Sequence, residues 1–215
     1  RSSDLLGCSY CSTATIEGRR IRRRSPAAVV AALRSWREAG FRRVFFVDNT
    51  FNLPPTYAKD LCRRIERAGL DLQWRAILYP GRVDAELVEA MARAGCLEVS
   101  LGFESGAAPI LAAYGKHFGP AEIRRTARLL AEAGIRAMGF LMLGGPGETR
   151  DTALESLRFA DALPLASMRL TVGVRIYPCT DMARRAAAEG IIDPAEDLDR
   201  KSTRLKSSHR IRSSM

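Results

Sequence analysis

The chain has 215 residues, 47% of them hydrophobic, enough for one large domain or two small ones with a sizeable core. Lys and Arg outnumber Asp and Glu by 34 to 24, a formal net charge of +10, but half of that excess lies in residues 199–215, where six basic residues face only Asp199. The basic balance therefore does not imply a nucleic-acid-binding surface; no apolar run reaches membrane-spanning length, no charged-then-apolar leader is present, and five scattered cysteines make no disulfide framework, so a reducing cytoplasm is expected.

Taken in order, the first feature is Gly7-Cys8-Ser9-Tyr10-Cys11-Ser12-Thr13. Two cysteines separated by two residues suit one corner of an iron–sulfur cluster, half a zinc site or a redox dithiol, and the pair alone does not discriminate. Residues 14–24 are polar and arginine-rich and read as a solvated loop. Ser25-Pro26 then starts a helix, with Ser as N-cap and Pro in the first turn, through Val29, Val30, Leu33 and Trp36 to Gly40. Val44-Phe45-Phe46-Val47 reads as a buried strand running into Asp48-Asn49. Pro54-Pro55 opens the next helix, with Leu61, Ile65 and Ala68 inward and Gly69 at its end, and Gln73 to Tyr79 is a strand. Asp84 caps a helix through Leu87, Met91 and Ala94; Leu97 to Leu101 is a strand entering Gly102-Phe103-Glu104-Ser105-Gly106.

A short helical stretch from Ala107 to Tyr114 follows, then a stronger helix from Pro120 through Ile123, Leu129 and Leu130 to Gly134. Met138 to Leu143 is a strand ending in Gly144-Gly145-Pro146-Gly147-Glu148-Thr149; Thr149 or Asp151 caps the next helix. Leu170 to Ile176 is the last strand, and Tyr177-Pro178-Cys179-Thr180 leads into a final helix to Glu189.

Strand, polar loop and helix thus alternate five times, which predicts an α/β fold of parallel strands with right-handed crossovers, either a partly closed barrel or a doubly wound open sheet. In a barrel the chemistry lies in loops at the C-terminal ends of the strands. Here those loops are rich in Gly, acid and amide, whereas the loops after the helices are plain turns. Glycines let backbone N–H groups approach a ligand, and carboxylates such as Glu104 and Glu148 can accept from an amine or from ribose hydroxyls. No loop matches the phosphate-cradling GxxxxGKS/T pattern, which points to a nucleoside-like ligand without a triphosphate. Cys62, Cys96, Met138 and Met142 read as core.

In these loops the chain resembles a radical S-adenosylmethionine (SAM) enzyme, in particular the branch that often carries a cobalamin-binding domain upstream. The residues that carry the resemblance are Gly7 to Thr13, Asp48 to Asn52, Gly102 to Ser105, Gly145 to Thr149 and Arg175 to Pro178, in order on successive loops. The resemblance implies a partial (β/α)6 TIM-like barrel and a [4Fe–4S] cluster held by CxxxCxxC, with Cys8 and Cys11 as the second and third ligands. The first should fall at position 4, which holds Asp4, a poor substitute on soft iron. It further implies that SAM chelates the remaining iron and is reductively cleaved to a 5′-deoxyadenosyl radical, with electrons from a donor such as flavodoxin or ferredoxin. By position, Tyr10 lies against the adenine, Asp48 and Asn49 near the methionyl amine, Glu104 at the ribose or methionyl end, and the strand ending at Gly144 walls the adenine; Ser105 and Glu148 are further cofactor-binding candidates. Cys179 stands where the family usually has Gly.

The expected function is cobalamin-linked radical chemistry on a small molecule; alternatives are an RNA-modifying methylthiotransferase, or a non-catalytic barrel with a CxxC zinc site. Residues 199–209 resemble a translated sequencing adapter with Lys206 in place of Asn, and residues 1–5 resemble the other adapter. The expectation is that residues 6–198 are a truncated radical SAM core lacking its first strand and the first cluster cysteine, hence inactive as it stands, and that residues 1–5 and 199–215 are non-native, disordered ends.

Overall fold

A computed structural model describes residues 7–18 and 22–197. The expectations for residues 1–5 and 199–215, Asp4 included, fall outside that range. The segment read as a loop after Cys11 begins with one helical turn, α1 (Thr13–Ile16). Helix α2 (Pro26–Glu38) starts where Ser25 Oγ accepts from the Ala28 amide at 3.2 Å. It buries Val30 and Leu33, and Arg37 on the same stripe donates to the Leu70 carbonyl; Trp36, expected inside, is rotated out and 49% exposed. Next come β1 (Arg43–Phe46), α3 (Pro55–Ala68), β2 (Gln73–Leu78) and α4 (Ala85–Arg93). Gly69 ends α3 in the left-handed region, and Asp84 caps α4 by accepting from the Leu87 amide at 2.9 Å.

The second half runs β3 (Cys96–Glu104), α5 (Ala108–Ala113), α6 (Pro120–Glu132), β4 (Arg136–Leu143), α7 (Arg150–Asp161), β5 (Ser167–Val172), α8 (Asp181–Ala188) and α9 (Pro194–Asp197). Thr149, not Asp151, caps α7, and Thr180 caps α8. Two strand boundaries differ from the sequence reading. β3 runs to Glu104, because Gly102 still pairs with Phe140 of β4. β5 begins and ends earlier than Leu170–Ile176, because Gly173 adopts φ +89° and its amide turns back to the Leu143 carbonyl at 2.8 Å.

The five strands among the described residues form one parallel sheet in the order β1-β2-β3-β4-β5. A doubly wound sheet would reverse its order at a switch point; sequential order with right-handed crossovers puts the helices on one face and curls the other into a barrel interior. The core lies between sheet and helices. Val99, Leu101 and Phe103 of β3 are fully buried there, with the Phe103 ring 6.1 Å from that of Phe159 on α7. Gly102 and Glu104, alternating with them, belong to the interior face. Cys62 and Cys96 are buried, as expected for small core residues. No helix among the described residues is long and apolar enough to cross a membrane.

Candidate functional site

The Cys8–Cys11 turn is closed by the Cys11 amide donating to the Cys8 carbonyl at 3.1 Å. It is clamped from both sides. The Ser9 amide donates to the Tyr114 carbonyl at 3.0 Å and Ser9 Oγ to the Ala113 carbonyl at 3.0 Å, while the Met182 amide of α8 donates to the Ser9 carbonyl at 2.8 Å. Gly115, at φ +70°, closes the contact: a Cβ there would stand 3.0 Å from the Gly7 carbonyl oxygen. The turn is thereby fixed over the C-terminal ends of β3 to β5.

Behind it lies a nearly buried polar network. Tyr10 OH donates to Glu104 Oε1 at 3.2 Å, and Lys116 Nζ donates to Tyr10 OH at 2.8 Å and stands 3.7 Å from Glu104 Oε1. The Lys116 side chain is only 6% exposed, and its ammonium sits at the hydroxyl edge of the Tyr10 ring. Glu104 reaches this position through an irregularity in the β3–β4 register after Gly102 and a φ of +67°, rare for a residue with a Cβ. Burial pushes the Cys8 thiol pKa up, and the charge and hydrogen bond of Lys116 pull against it. Burial, then the Glu104 carboxylate, raises the Tyr10 phenol strongly. Lys116 escaped the sequence reading; the available signal was a lysine directly after the Gly that ends a short helix, on a loop that must return to the cysteine turn.

At the end of β4, Gly144 turns at φ +87° and its amide donates to Glu148 Oε2. The other Glu148 oxygen is buried and has no hydrogen-bond partner among the described residues, so it wants an N–H or O–H donor. Next to it the Tyr114 hydroxyl faces the Met142 carbonyl at 3.4 Å, and the Tyr114 ring meets that of Tyr10 edge-on at 5.4 Å. Ser105 is fully buried: its hydroxyl lies 2.9 Å from Ser156 Oγ and accepts from the Ala107 amide, so it shapes the turn into α5.

Asp48 and Asn49 do not join this network. They sit past the end of β1, two strands from β3 and so about 10 Å across the sheet. There they line a cavity of about 500 Å³ under the loop carrying Arg22, Arg23 and Arg24. Asn49 Nδ2 donates to Glu17 Oε2 at 3.4 Å across it. Cys179 is exposed, with φ +63°, the left-handed region that Gly prefers. Among the described residues no three Cys, His, Asp or Glu gather as a metal site. The turn offers two soft thiolate donors, suited to iron–sulfur ligation, and the position expected for the first cluster cysteine holds Asp4.

The model of the family described as the radical SAM superfamily matches residues 5–160. The chain is 30% identical over 188 residues to an uncharacterized methyltransferase of Pyrococcus horikoshii, covering 87% of this chain and 41% of that protein. It is 28% identical over 203 residues to the cytidylyl-2-hydroxyethylphosphonate methyltransferase of Streptomyces wedmorensis, covering 90% and 38%. The fold matches the radical SAM methyltransferase TsrM from Kitasatospora setae, solved with cobalamin and a [4Fe–4S] cluster bound, with a TM-score of 0.78 and 25% identity over 93% of this chain and 39% of that one. The chain thus spans about two fifths of the length of these relatives.

Proposed function

The chain belongs to the radical SAM superfamily, and on that premise we propose that it is the cluster- and SAM-binding core of a methyltransferase for a small molecule, with cobalamin as a further cofactor. The methyltransferase reading is supported by the names of the relatives, and the cobalamin reading by the contents of the TsrM structure. The family works with a [4Fe–4S] cluster and SAM, which when bound supply the one-electron chemistry; the chain holds, orients and shields them.

The observation that carries the assignment is the nearly buried Lys116–Tyr10–Glu104 network beside Cys8. Cys8 and Cys11 hold two cluster irons. SAM bears an ammonium, a carboxylate and a ribose. Lys116, with N–H groups beyond the one given to Tyr10, takes the carboxylate. Glu104 takes the ribose or ammonium donors, the unpartnered oxygen of Glu148 accepts a further N–H, and Tyr10 lies against the adenine. Gly144 and Ser105 shape the backbone around them. An external reductant feeds the cluster.

The test is anaerobic reconstitution with iron and sulfide. The chain as given should bind well below four irons, because it has two thiolates where three are needed; Asp4→Cys should raise iron and sulfide content. In the Asp4→Cys background, SAM should alter the electron paramagnetic resonance spectrum of the reduced cluster, and Lys116→Met should abolish that change at equal iron content. Zinc uptake in preference to iron would sink the reading, and an unchanged SAM response in the lysine variant would remove Lys116 from it.

A further inference from the structure

We propose that the cavity over β1 is a second ligand site, which takes the anionic end of the acceptor molecule: a carboxylate, phosphate or phosphonate group. Only the word acceptor rests on the methyltransferase reading; the anion site stands on its own geometry. At about 500 Å³ the cavity falls within the range of small-molecule pockets. It opens at the strands' C-terminal end, the same end as the cysteine turn, but over a different strand.

An arginine run is ordinarily a solvated loop, and three features argue against that here. First, the run is tied down. The Arg23 guanidinium lies 5.9 Å from the Tyr57 ring centroid and donates to the Leu53 carbonyl at 3.5 Å, while Tyr57 OH donates to the Arg24 carbonyl at 2.8 Å. Arg23 thus keeps most of its five N–H donors for a ligand, in a fixed fork suited to oxyanions. Second, α3 begins beside this cavity with Pro54 as N-cap and no side-chain acceptor; Pro55 has no N–H, so the positive potential comes from the amides of Thr56 and Tyr57. Third, the floor is apolar, with Phe46, Phe51 and Leu61 available to pack a ligand's body.

Glu17 and Asp48 line the same cavity as the arginines and limit the ligand class. They repel a polyanion such as RNA, and favour a small molecule that carries hydrogen-bond donors as well as a single anionic group. The site is thus one for a discrete small ligand rather than a general anion patch.

Inorganic phosphate and acetate are the probes, titrated separately at low salt into the whole chain and followed by arginine Nε–H nuclear magnetic resonance. At least one should saturate in the millimolar range and shift the Arg23 or Arg24 signal; the tighter of the two distinguishes a tetrahedral oxyanion from a carboxylate ligand. Arg23→Gln with Arg24→Gln should weaken it at least tenfold. Tyr57→Phe, which frees the loop at constant charge, should weaken it severalfold. Arg34→Gln, on the exposed side of α2, should leave it unchanged, with thermal unfolding checking each fold. Binding weakened equally by the Arg34 variant, binding unaffected by the paired variant, or no saturable binding of either probe would overturn the proposal. Neither iron nor SAM enters the measurement, so its failure would leave the SAM reading standing, and loss of the SAM reading would leave this site standing.

Discussion

Over β3 to β5 the loops are fixed by buried groups. The cysteine turn is tied at Ser9 from α5 and α8, Tyr10 and Glu104 share the nearly buried Lys116, and Tyr114 is sealed against Gly145. Over β1 and β2 the fully buried Asn52 also ties the two loops together, through the Tyr79 backbone and the Gly81 carbonyl, but the helices behind them are joined by a set of charged pairs, most of them exposed. Lys59 of α3 reaches Asp84 and Glu86 at 2.7 and 2.6 Å, Arg63 reaches Glu86 at 2.5 Å, and Arg93 of α4 reaches Glu66 at 3.1 Å. Buried polar contacts are costly to break and so fix geometry, whereas each exposed pair contributes less than about 1 kcal/mol and tolerates adjustment. A cluster and SAM must be held in one arrangement. The cavity proposed for an anionic ligand lies on the side that carries these charged pairs.

The sharpest way to break this contrast is to fill the sealed side. A Cβ on Gly145 would lie 2.2 Å from the Tyr114 hydroxyl, whose ring is fully buried. Gly145→Ala should cost about 3 kcal/mol, a fall of roughly 6–12 °C in thermal midpoint. Tyr114→Phe in the same chain should recover only part of the loss, since it removes the nearest clashing atom but keeps two ring carbons within 3.0 Å of the new Cβ. Val47→Ala, past the end of β1 and 73% exposed, should stay within about 0.5 kcal/mol. A mild Gly145 effect would show that the sealed side can give way, and would weaken the contrast.

A smaller effect tests the network itself. Tyr10→Phe removes the hydroxyl between Lys116 and Glu104, leaving only their 3.7 Å pair. Denaturant unfolding should show a loss of about 1–2 kcal/mol. Combined with Lys116→Met, the losses should fall short of additive, because both substitutions open the same contact. Strict additivity would mean that the two groups act independently.

What was legible in the sequence follows the range of the interaction. The helix starts at Ser25 and Asp84, and the stop at Gly69, depend on bonds within a few residues, and they lie where the pattern put them. The CxxC turn and Glu104 were legible as motifs. The last residues of β3 were not, because Gly102-Phe103-Glu104 has loop composition and is strand only through its pairing with β4. β5 was misplaced because every one of its residues is exposed, so no alternation marks it and only its register with β4 sets its ends. Lys116 depends on Tyr10, more than a hundred residues earlier, and the cavity over β1 depends on Arg23 meeting Tyr57. Neither contact leaves a periodic trace in the chain.

The smallest effect belongs to the charged side and is visible in pH. Burial alone would raise the Asp84 carboxyl, but the hydrogen bonds from Lys59 and from the Leu87 amide outweigh it and hold the group below its usual range. A carboxyl lowered on folding stabilises the fold at pH values above its unfolded pKa of about 3.9, and that stabilisation is lost as the pH falls through the lower folded value. Asp84→Asn keeps an N-cap acceptor while removing the charge, so it isolates the ion pair from the cap. With the Asp84 side chain 48% exposed, solvent screening should hold the loss at pH 7 below about 1 kcal/mol. The variant's stability should fall less steeply than the parent's between about pH 4 and pH 2, and 0.5 M salt should narrow the gap between them at neutral pH. Parallel acid profiles would mean that Lys59 holds Asp84 by packing rather than charge, and that the two sides of the sheet differ less than their contacts suggest.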